Sequence, residues 1–219
     1  MIEYESGYKR YVLRGKTKIM DDQKYRENWR KFYEKALSRP HSIRTERAVN
    51  LDASSIKVAI DCGCGTGSDI KFLTSQGYKV FGFDINPDSI AICRDRFGDE
   101  SSVNVVQSSF CEFDYTDASL IVANASLFFV NPEQFLEVWT SIDAGLVKGG
   151  VFSGDFMGKN DSWASDFHTP VTALSKDELL NLFSNFEIIE FNERDEDGTT
   201  MVGESKHWHI YSVVAVKRT

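Results

Sequence analysis

The run Ile60-Asp61-Cys62-Gly63-Cys64-Gly65-Thr66-Gly67 sets three alternating glycines directly behind an apolar stretch, Ile56 to Asp61, and ahead of a helix-like stretch, Ser68 to Gln76. A strand that turns sharply into a helix while a ligand lies across the turn needs backbone without Cβ atoms, which glycine supplies. A second apolar stretch, Tyr78 to Phe83, ends in Asp84, seventeen positions beyond Gly67. An acid about 20 residues past such a turn stands where it can accept hydrogen bonds from a ribose. Turn and acid together point to a nucleoside-bearing ligand.

The glycine spacing narrows that ligand. A dinucleotide site uses G-x-G-x-x-G, with the pyrophosphate on the helix N-terminus. Here the spacing is G-x-G-x-G, and the first charged residue after it is Asp69. An acid in the first helical turn suits the helix dipole by about 0.3–1 kcal/mol, but it repels a pyrophosphate and suits an ammonium group. S-adenosylmethionine carries an ammonium, a sulfonium and a ribose, and no phosphate. The stretches DCGCGTGSD and FGFDIN resemble the first two motifs of the class I S-adenosylmethionine-dependent methyltransferases. The resemblance runs from about Trp29 to the C-terminus.

That likeness implies a set of cofactor contacts. Backbone at Gly63, Cys64, Gly65 and Gly67 would approach the methionine moiety, with Asp61 and Asp69 on its amino group. Asp84 would hold both ribose hydroxyls, and Ile85 would pack on the adenine. The family often places an acid after the third strand; here Ser108-Ser109-Phe110 stands there, so Ser109 and Phe110 are the adenine-side candidates. Asn124 and Ala125 would line the sulfonium through backbone carbonyls. S-adenosylhomocysteine would be the product.

From Ile56 onward, apolar segments (56–61, 78–83, 103–107, 119–124, 150–156) alternate with helical ones, including Pro87 to Phe97 and Pro132 to Val147. This alternation predicts a doubly wound, Rossmann-like α/β sheet, mostly parallel, with helices on both faces. Phe186–Phe191 and Trp208–Val216 have only a charged, glycine-bearing connection between them, which predicts an antiparallel C-terminal pair. Such a tail is what the methyltransferase resemblance implies. Ahead of the sheet, Asp21–Leu37 and Ser42–Leu51 read as helices, and residues 1–20 as an arm without regular period. We therefore expect an N-terminal arm and helical cap over 1–50 and the methyltransferase domain over 51–219, together one structural domain.

Charge argues about partners. Residues 1–50 hold 13 Lys/Arg against 7 Asp/Glu, whereas the rest hold 12 against 26. An acidic body is a poor surface for a phosphate backbone, and docking on it is the expected role of the basic arm (Lys9, Arg10, Arg14, Lys16, Lys18). No apolar run approaches the ~20 residues of a membrane span, and MIEYESGYKR lacks a signal-peptide core, so a cytoplasmic location without membrane attachment is expected, as monomer or homodimer. Cys62, Cys64, Cys93 and Cys111 are expected as reduced thiols, with no metal bound.

For the acceptor side, residues beyond the carboxyl ends of strands are the candidates: Asp155 and Phe156 after the fifth strand, then Asp161 and Trp163 in the polar loop that follows. Trp163 and Phe167 could cover an apolar substrate, Trp29 and Tyr33 could close over the cofactor, and Phe128 is a further substrate or lid candidate. Asp155, His168, His207 and His209 are the candidate general bases, needed only if the acceptor arrives protonated. The fourth strand leads into Asn124-Ala125-Ser126-Leu127, not the [N/D]-P-P-[Y/F] of amino-methylating enzymes acting on nucleic-acid bases. The segments FSGDFMGKNDSW, ERDEDG and KHWHIYSVVAVK together resemble bacterial small-molecule methyltransferases of the tellurite-resistance and thiopurine kind. A small-molecule acceptor is therefore the leading reading. A non-catalytic protein that binds S-adenosylmethionine or S-adenosylhomocysteine, an NAD(P)-dependent oxidoreductase and a nucleic-acid methyltransferase are its rivals.

Overall fold

The computed structural model describes residues 2–5, 8–13, 16–19, 22–115 and 117–219, with side chains from residue 27 onward. Three short strands come first, β1 (Ile2–Glu5), β2 (Tyr8–Leu13) and β3 (Lys16–Ile19), paired antiparallel in sequence order. This corrects the expectation of an arm without regular structure. The strand registers run from Ile2↔Tyr11 to Glu5↔Tyr8 and from Arg10↔Ile19 to Leu13↔Lys16. The side chains of the basic cluster Lys9, Arg10, Arg14, Lys16 and Lys18 lie outside the described residues, and so does their expected docking.

Helix α1 (Asp22–Ala36) turns Tyr33 and Ala36 into the interior. Helix α2 (Ile43–Leu51) starts at Ser42, whose hydroxyl accepts from the Arg44 amide. Then follow β4 (Val58–Cys62), α3 (Ser68–Ser75), β5 (Lys79–Asp84), α4 (Pro87–Phe97), β6 (Val103–Gln107) and β7 (Ala118–Ala123). A 3₁₀ turn, Leu127–Phe129, leads to α5 (Phe135–Gly145) and β8 (Leu146–Gly158). The remainder is α6 (Trp163–Asp166), β9 (Ala173–Leu174), α7 (Lys176–Leu182), β10 (Phe186–Thr199) and β11 (Ser205–Lys217).

The large sheet has the order β10-β11-β8-β7-β4-β5-β6, with β9 on β8. Pairs within β6, β5, β4, β7 and β8 are parallel, and β11 is antiparallel to both β8 and β10. Winding therefore reverses between β4 and β7, and open α/β sheets bind ligands at the carboxyl ends of the strands beside such a reversal. Alternate β4 and β7 side chains feed two cores. Ile60 and Ile121 pack with α5 and α7, whereas Ala59, Leu120 and Val122 pack with α2, α3 and α4. Local chemistry agrees with the element ends: Asn86 caps α4 with proline behind it, and Ser175 with Glu178 forms a capping box on α7.

The C-terminal pair is longer than its apolar pattern predicts. β8 pairs with β11 over Ile210–Val216, but β10 and β11 stay paired out to Thr199↔Ser205. The charged connection thus forms a two-stranded ribbon beyond the sheet. Its tip touches the α1 end, where Lys35 Nζ donates to the Met201 carbonyl at 2.7 Å and Arg39 Nη1 approaches Met201 Sδ at 3.1 Å. Among the described residues, no helix is long and apolar enough to cross a membrane.

Trp139 sits at the centre of one core, with ring centroids 4.9–6.0 Å from Phe183, Phe152, Phe156 and Phe186, and its indole N–H donates to Leu182 O. Truncating an aromatic of this kind costs roughly 3–5 kcal/mol. Trp139→Ala should lower the urea midpoint accordingly; a loss under about 1 kcal/mol would mean this core is not what holds α5 and α7 to the sheet.

Candidate active site

Beyond β4 the chain turns through three left-handed glycines, Gly63, Gly65 and Gly67. The Gly63 and Cys64 amides both donate to Phe83 O, at 2.8 and 2.9 Å, which hooks the turn over the end of β5. The glycines are not equivalent. A Cβ on Gly67 would lie 2.5 Å from Phe97 Cε2, whereas one on Gly65 would meet nothing within 4 Å. Gly67 therefore serves packing, and Gly65 leaves open space at the head of the turn.

Two acids face this turn. Asp84 Oδ2 accepts from Gly65 N at 3.0 Å and Oδ1 from Asn86 N at 2.9 Å. A carboxylate offers about four acceptor positions, and the Ser89 side chain and the Ile85 amide also bond to this one. Burial pushes the Asp84 carboxyl up, while the Asn86 and Gly65 amides pull it back. Asp61 is buried, and its Oδ2 has no hydrogen-bond partner. Burial first, then the charges of Asp69, Cys93 and Asp84, push its carboxyl well above the usual carboxylate range. An unpartnered buried carboxyl is costly, and a bound cation would relieve it. Ile85, directly after Asp84, is 71% exposed. Ser109 Oγ donates to Glu112 at 2.8 Å. Phe110 sets its edge against Phe83 at 5.1 Å and packs on the core. Cys64 is buried, its thiol pushed up by a hydrogen bond with Cys93 and by burial; all four cysteines are free.

Next to the turn, a polar knot ties five elements together. Asp69 Oδ1 accepts from Ser42 N at 2.9 Å and Oδ2 from Asn124 Nδ2 at 3.1 Å, while Asn124 Nδ2 also reaches Thr45 Oγ1 at 2.9 Å. Arg44 Nη2 donates to both oxygens of Asp155, at 2.8 and 2.6 Å. Asp155 accepts further bonds from Ala125 N at 2.9 Å and Ser212 Oγ at 2.6 Å. Ala125 has φ +52°, the sole left-handed non-glycine backbone among the described residues, a conformation that costs on the order of 1–3 kcal/mol and clusters at functional sites. The Asp155 carboxylate thus accepts four hydrogen bonds, and each oxygen of Asp69 accepts one from within the protein. Arg44 was missed because only the fold brings α2 to the ends of β7 and β8.

An aromatic wall stands beside the knot. Trp29 stacks on Tyr33 at 5.6 Å and meets Phe129 at 6.5 Å; Phe129 in turn touches Phe128, Trp163 and Phe167 at 4.7, 6.1 and 5.5 Å. Trp163 continues to Trp208 at 5.7 Å. Asp161, expected to face substrate, is instead fully buried: it pairs with Lys206 Nζ and accepts from His209 N and Trp163 N. Lys206, unforeseen in the sequence, also lies 4.4 and 4.3 Å over the Trp163 and Trp208 rings. Burial pulls its ammonium pKa down against the opposing pull of Asp161. Phe156 is likewise removed from the wall, packed in the core against Trp139 and Phe183.

The histidines do not converge. His209 Nδ1 accepts from the Asn160 amide at 3.1 Å, which leaves the proton on Nε2, 3.2 Å from Glu193. His207 lies between Asp197 and Asp195 at 2.7 Å each, and these hydrogen bonds raise its pKa. His168 stands in the loop after α6, its ring 4.1 Å from that of Phe167. Among the described residues, no group of three or more His, Cys, Asp or Glu is arranged to hold a metal.

Residues 59–150, the span from β4 into β8, match the family model described as Methyltransferase domain. Over that span the chain is similar to methyltransferase domains, and its Rossmann-like sheet is the fold they share. The carboxy-S-adenosyl-L-methionine synthase of Colwellia psychrerythraea is 25% identical over 145 residues, which are 65% of this chain and 55% of that protein. The Photorhabdus laumondii protein of the same name is 29% identical over 98 residues, 42% of this chain and 39% of that one; the chain thus spans about half the length of the curated relatives it matches. TehB from Haemophilus influenzae shares the fold, with a TM-score of 0.64 and 20% identity over 83% of this chain and 63% of that one. N-methyltransferase NodS from Bradyrhizobium japonicum WM9, in complex with S-adenosyl-L-homocysteine, superposes with a TM-score of 0.62 at 14% identity, covering 88% of this chain and all of that one.

The glycine geometry separates stability from binding. Gly67→Ala should cost about 1–3 kcal/mol through overpacking on Phe97, read from urea denaturation. Gly65→Ala should be milder in that assay yet lose S-adenosylmethionine affinity at least tenfold by calorimetry. Equal stability losses with unchanged affinity would refute the division.

Proposed function

We propose that this methyltransferase passes a methyl group from S-adenosylmethionine to a small, largely apolar acceptor held against the aromatic wall. The observation that carries the reading is the unpartnered buried carboxyl of Asp61 beside the open head of the Gly65 turn, with Asp84 across it. That donor set fits the group: an acid for the ammonium, an acid for the ribose hydroxyls and no cation inviting a phosphate. When bound, S-adenosylmethionine supplies an activated methyl on a sulfonium. Asp61 would orient the amino end, Asp84 the ribose and Ile85 the adenine, while the Ala125 backbone borders the reacting end. Ser109 and Phe110 flank the adenine side from the loop after β6.

The remaining work is alignment and exclusion of water, which in well-oriented systems contributes up to about 7–11 kcal/mol. Trp29 and Phe129 supply an apolar face that can hold an acceptor, with Tyr33 buried behind Trp29, and an aromatic face attracts a sulfonium by cation–π contact. Residues 1–50 act as the cap in this scheme and 51–219 as the transferase domain. Asp155, His207 and His209 are each committed to protein partners, which favours an acceptor that arrives deprotonated or needs no base. The acidic body beyond residue 50 disfavours nucleic acid as substrate.

Calorimetric titration of S-adenosylmethionine, with NADH in parallel, tests the cofactor. Asp84→Ala should weaken binding about 10- to 100-fold, since charge-assisted hydrogen bonds are worth roughly 1.5–3 kcal/mol. NADH binding without S-adenosylmethionine binding would favour an oxidoreductase. S-adenosylmethionine binding without S-adenosylhomocysteine release, across thiol, amine and aromatic hydroxyl acceptors, would favour a sensor.

Asp61 also predicts a proton linkage. Its pKa is raised in the free protein, and a bound ammonium stabilises the carboxylate, so binding lowers that pKa and releases a proton. Affinity should therefore rise with pH between the ordinary carboxylate value and the raised one, then level off. Calorimetry in buffers of different ionisation enthalpy should report this release for the wild type and lose it in Asp61→Asn. Buffer-independent heats for both would remove Asp61 from the ammonium site.

A further inference from the structure

A second cleft, sharing no residue with the glycine turn, joins three basic side chains to an apolar floor. It lies between the segment joining α1 to α2 (Leu37, Ser38, Arg39, Pro40, His41), one side of α3 (Ser68, Lys71, Phe72, Ser75) and Arg96 in the last turn of α4, with a volume of about 480 Å³. Two arginines and a lysine line it, no carboxylate does, and the hydroxyls of Ser38, Ser68 and Ser75 are spent on the carbonyls of Lys35, Arg39 and Phe72. This occurs in a chain of net charge −8. Several cations elsewhere are paired, Arg44 with Asp155, Arg47 with Glu190 and Lys206 with Asp161. Among the described residues, none of Arg39, Lys71 and Arg96 enters an ion pair. Cations gathered without a counter-charge repel one another, and a bound anion relieves that repulsion.

The cleft is also preorganised. Arg96 Nη1 donates to the Thr66 carbonyl, Arg39 Nη1 meets Met201 Sδ, and Ser68 Oγ donates to the Arg39 carbonyl at 3.1 Å. Each guanidinium is thus held by one nitrogen and keeps most of its roughly five donors for a ligand. Guanidinium forks match phosphate oxygens bidentately, and lysine adds a point charge. At the other end, His41 lies flat on Phe72, ring centroids 3.7 Å apart and 6° from parallel, with its Nε2 turned to Glu46 at 3.4 Å. With Leu37 and Pro40, this makes an apolar floor. The volume falls within the roughly 300–1,000 Å³ of small-molecule sites and leaves room for more than a phosphate alone.

We propose that this cleft binds a small phosphomonoester, its phosphoryl group on Arg39, Lys71 and Arg96 and its apolar part on Leu37, Pro40 and Phe72. A phosphoryl dianion offsets three cations better than a single carboxylate does. The proposal is independent of the methyl-transfer reading, because S-adenosylmethionine carries no phosphate. Arg96 also holds the glycine turn, so the test is made at exposed Lys71 instead.

Phenyl phosphate, inorganic phosphate and benzoate should be titrated calorimetrically into the full chain at low ionic strength. Phenyl phosphate should bind most tightly. Lys71→Glu should weaken it at least tenfold, with Tm and S-adenosylmethionine affinity unchanged, and Lys71→Gln should give an intermediate loss. Lys148→Glu, a charge reversal of an exposed lysine outside the cleft, should leave phenyl phosphate binding intact. No binding to the wild type, equal losses in the Lys71 and Lys148 variants, or benzoate binding as well as phenyl phosphate would each overturn the assignment. A short RNA whose binding falls in Lys71→Glu while phenyl phosphate binding does not would overturn it in favour of a polyanion surface.

Discussion

The carboxylate of Asp155 is the contact on which the rest of the site depends. It accepts from Arg44 on α2, Ala125 after β7 and Ser212 on β11, so one buried group fixes three pieces of chain that are distant in sequence. Charge-assisted bonds are about twice as strong as neutral ones, and removing one partner of such a buried set leaves the others uncompensated. The strained Ala125 backbone persists because this knot over-determines it. Asn124 then carries the same network to Asp69 and the head of α3. The reversal point between β4 and β7 is therefore a rigid polar floor.

The glycine turn beside that floor was legible in the sequence. The glycine turn, Asp61 and Asp84 sit within a single strand–helix–strand unit, and steric and hydrogen-bonding needs at that scale are written in local spacing. The parallel alternation and the antiparallel tail were legible for the same reason: each follows from the period and length of consecutive segments. Arg44 was not, because its partner Asp155 lies 111 positions away, and nothing local marks an arginine in a short helix as internal. Lys206 escaped likewise. A lysine beside two histidines and a tryptophan reads as a rim residue until Asp161 is seen buried beneath it. The ribbon from Asn192 to Lys206 was taken for a loop because its charges hid a pairing made by backbone alone.

Identical residue types in the turn perform different tasks, and the distinction is physical. Gly67 is required by Phe97 and Cys93, which occupy the space a Cβ would need, whereas Gly65 borders open space. Asp69 and Asp61 are both acids near the turn, yet Asp69 spends its oxygens on Ser42 and Asn124 and Asp61 keeps one without a partner. A motif gives the set of residues. The packing around each one decides which supports the fold and which is left for a ligand.

The acceptor side is built on the opposite plan. Its aromatic wall draws Trp29 from α1, Phe129 from the turn after β7, Trp163 and Phe167 from the loop after β8 and Trp208 from β11. No two consecutive elements of the glycine-turn unit contribute to it. Its position relative to the floor rests on the buried Asp161–Lys206 pair, which pins the loop to β11, and on Met201 at the ribbon tip, which touches the end of α1. A buried pair of this kind adds little net stability over apolar packing but is costly to break from one side, so its value lies in fixing where the loop sits. Replacing residues of the wall would change what is accepted while leaving Asp61, Gly65 and Asp84 untouched. If the proposed wall holds the acceptor, substrate choice is set by side chains that share no sequence motif with the glycine turn, and it has to be read from contacts rather than from spacing.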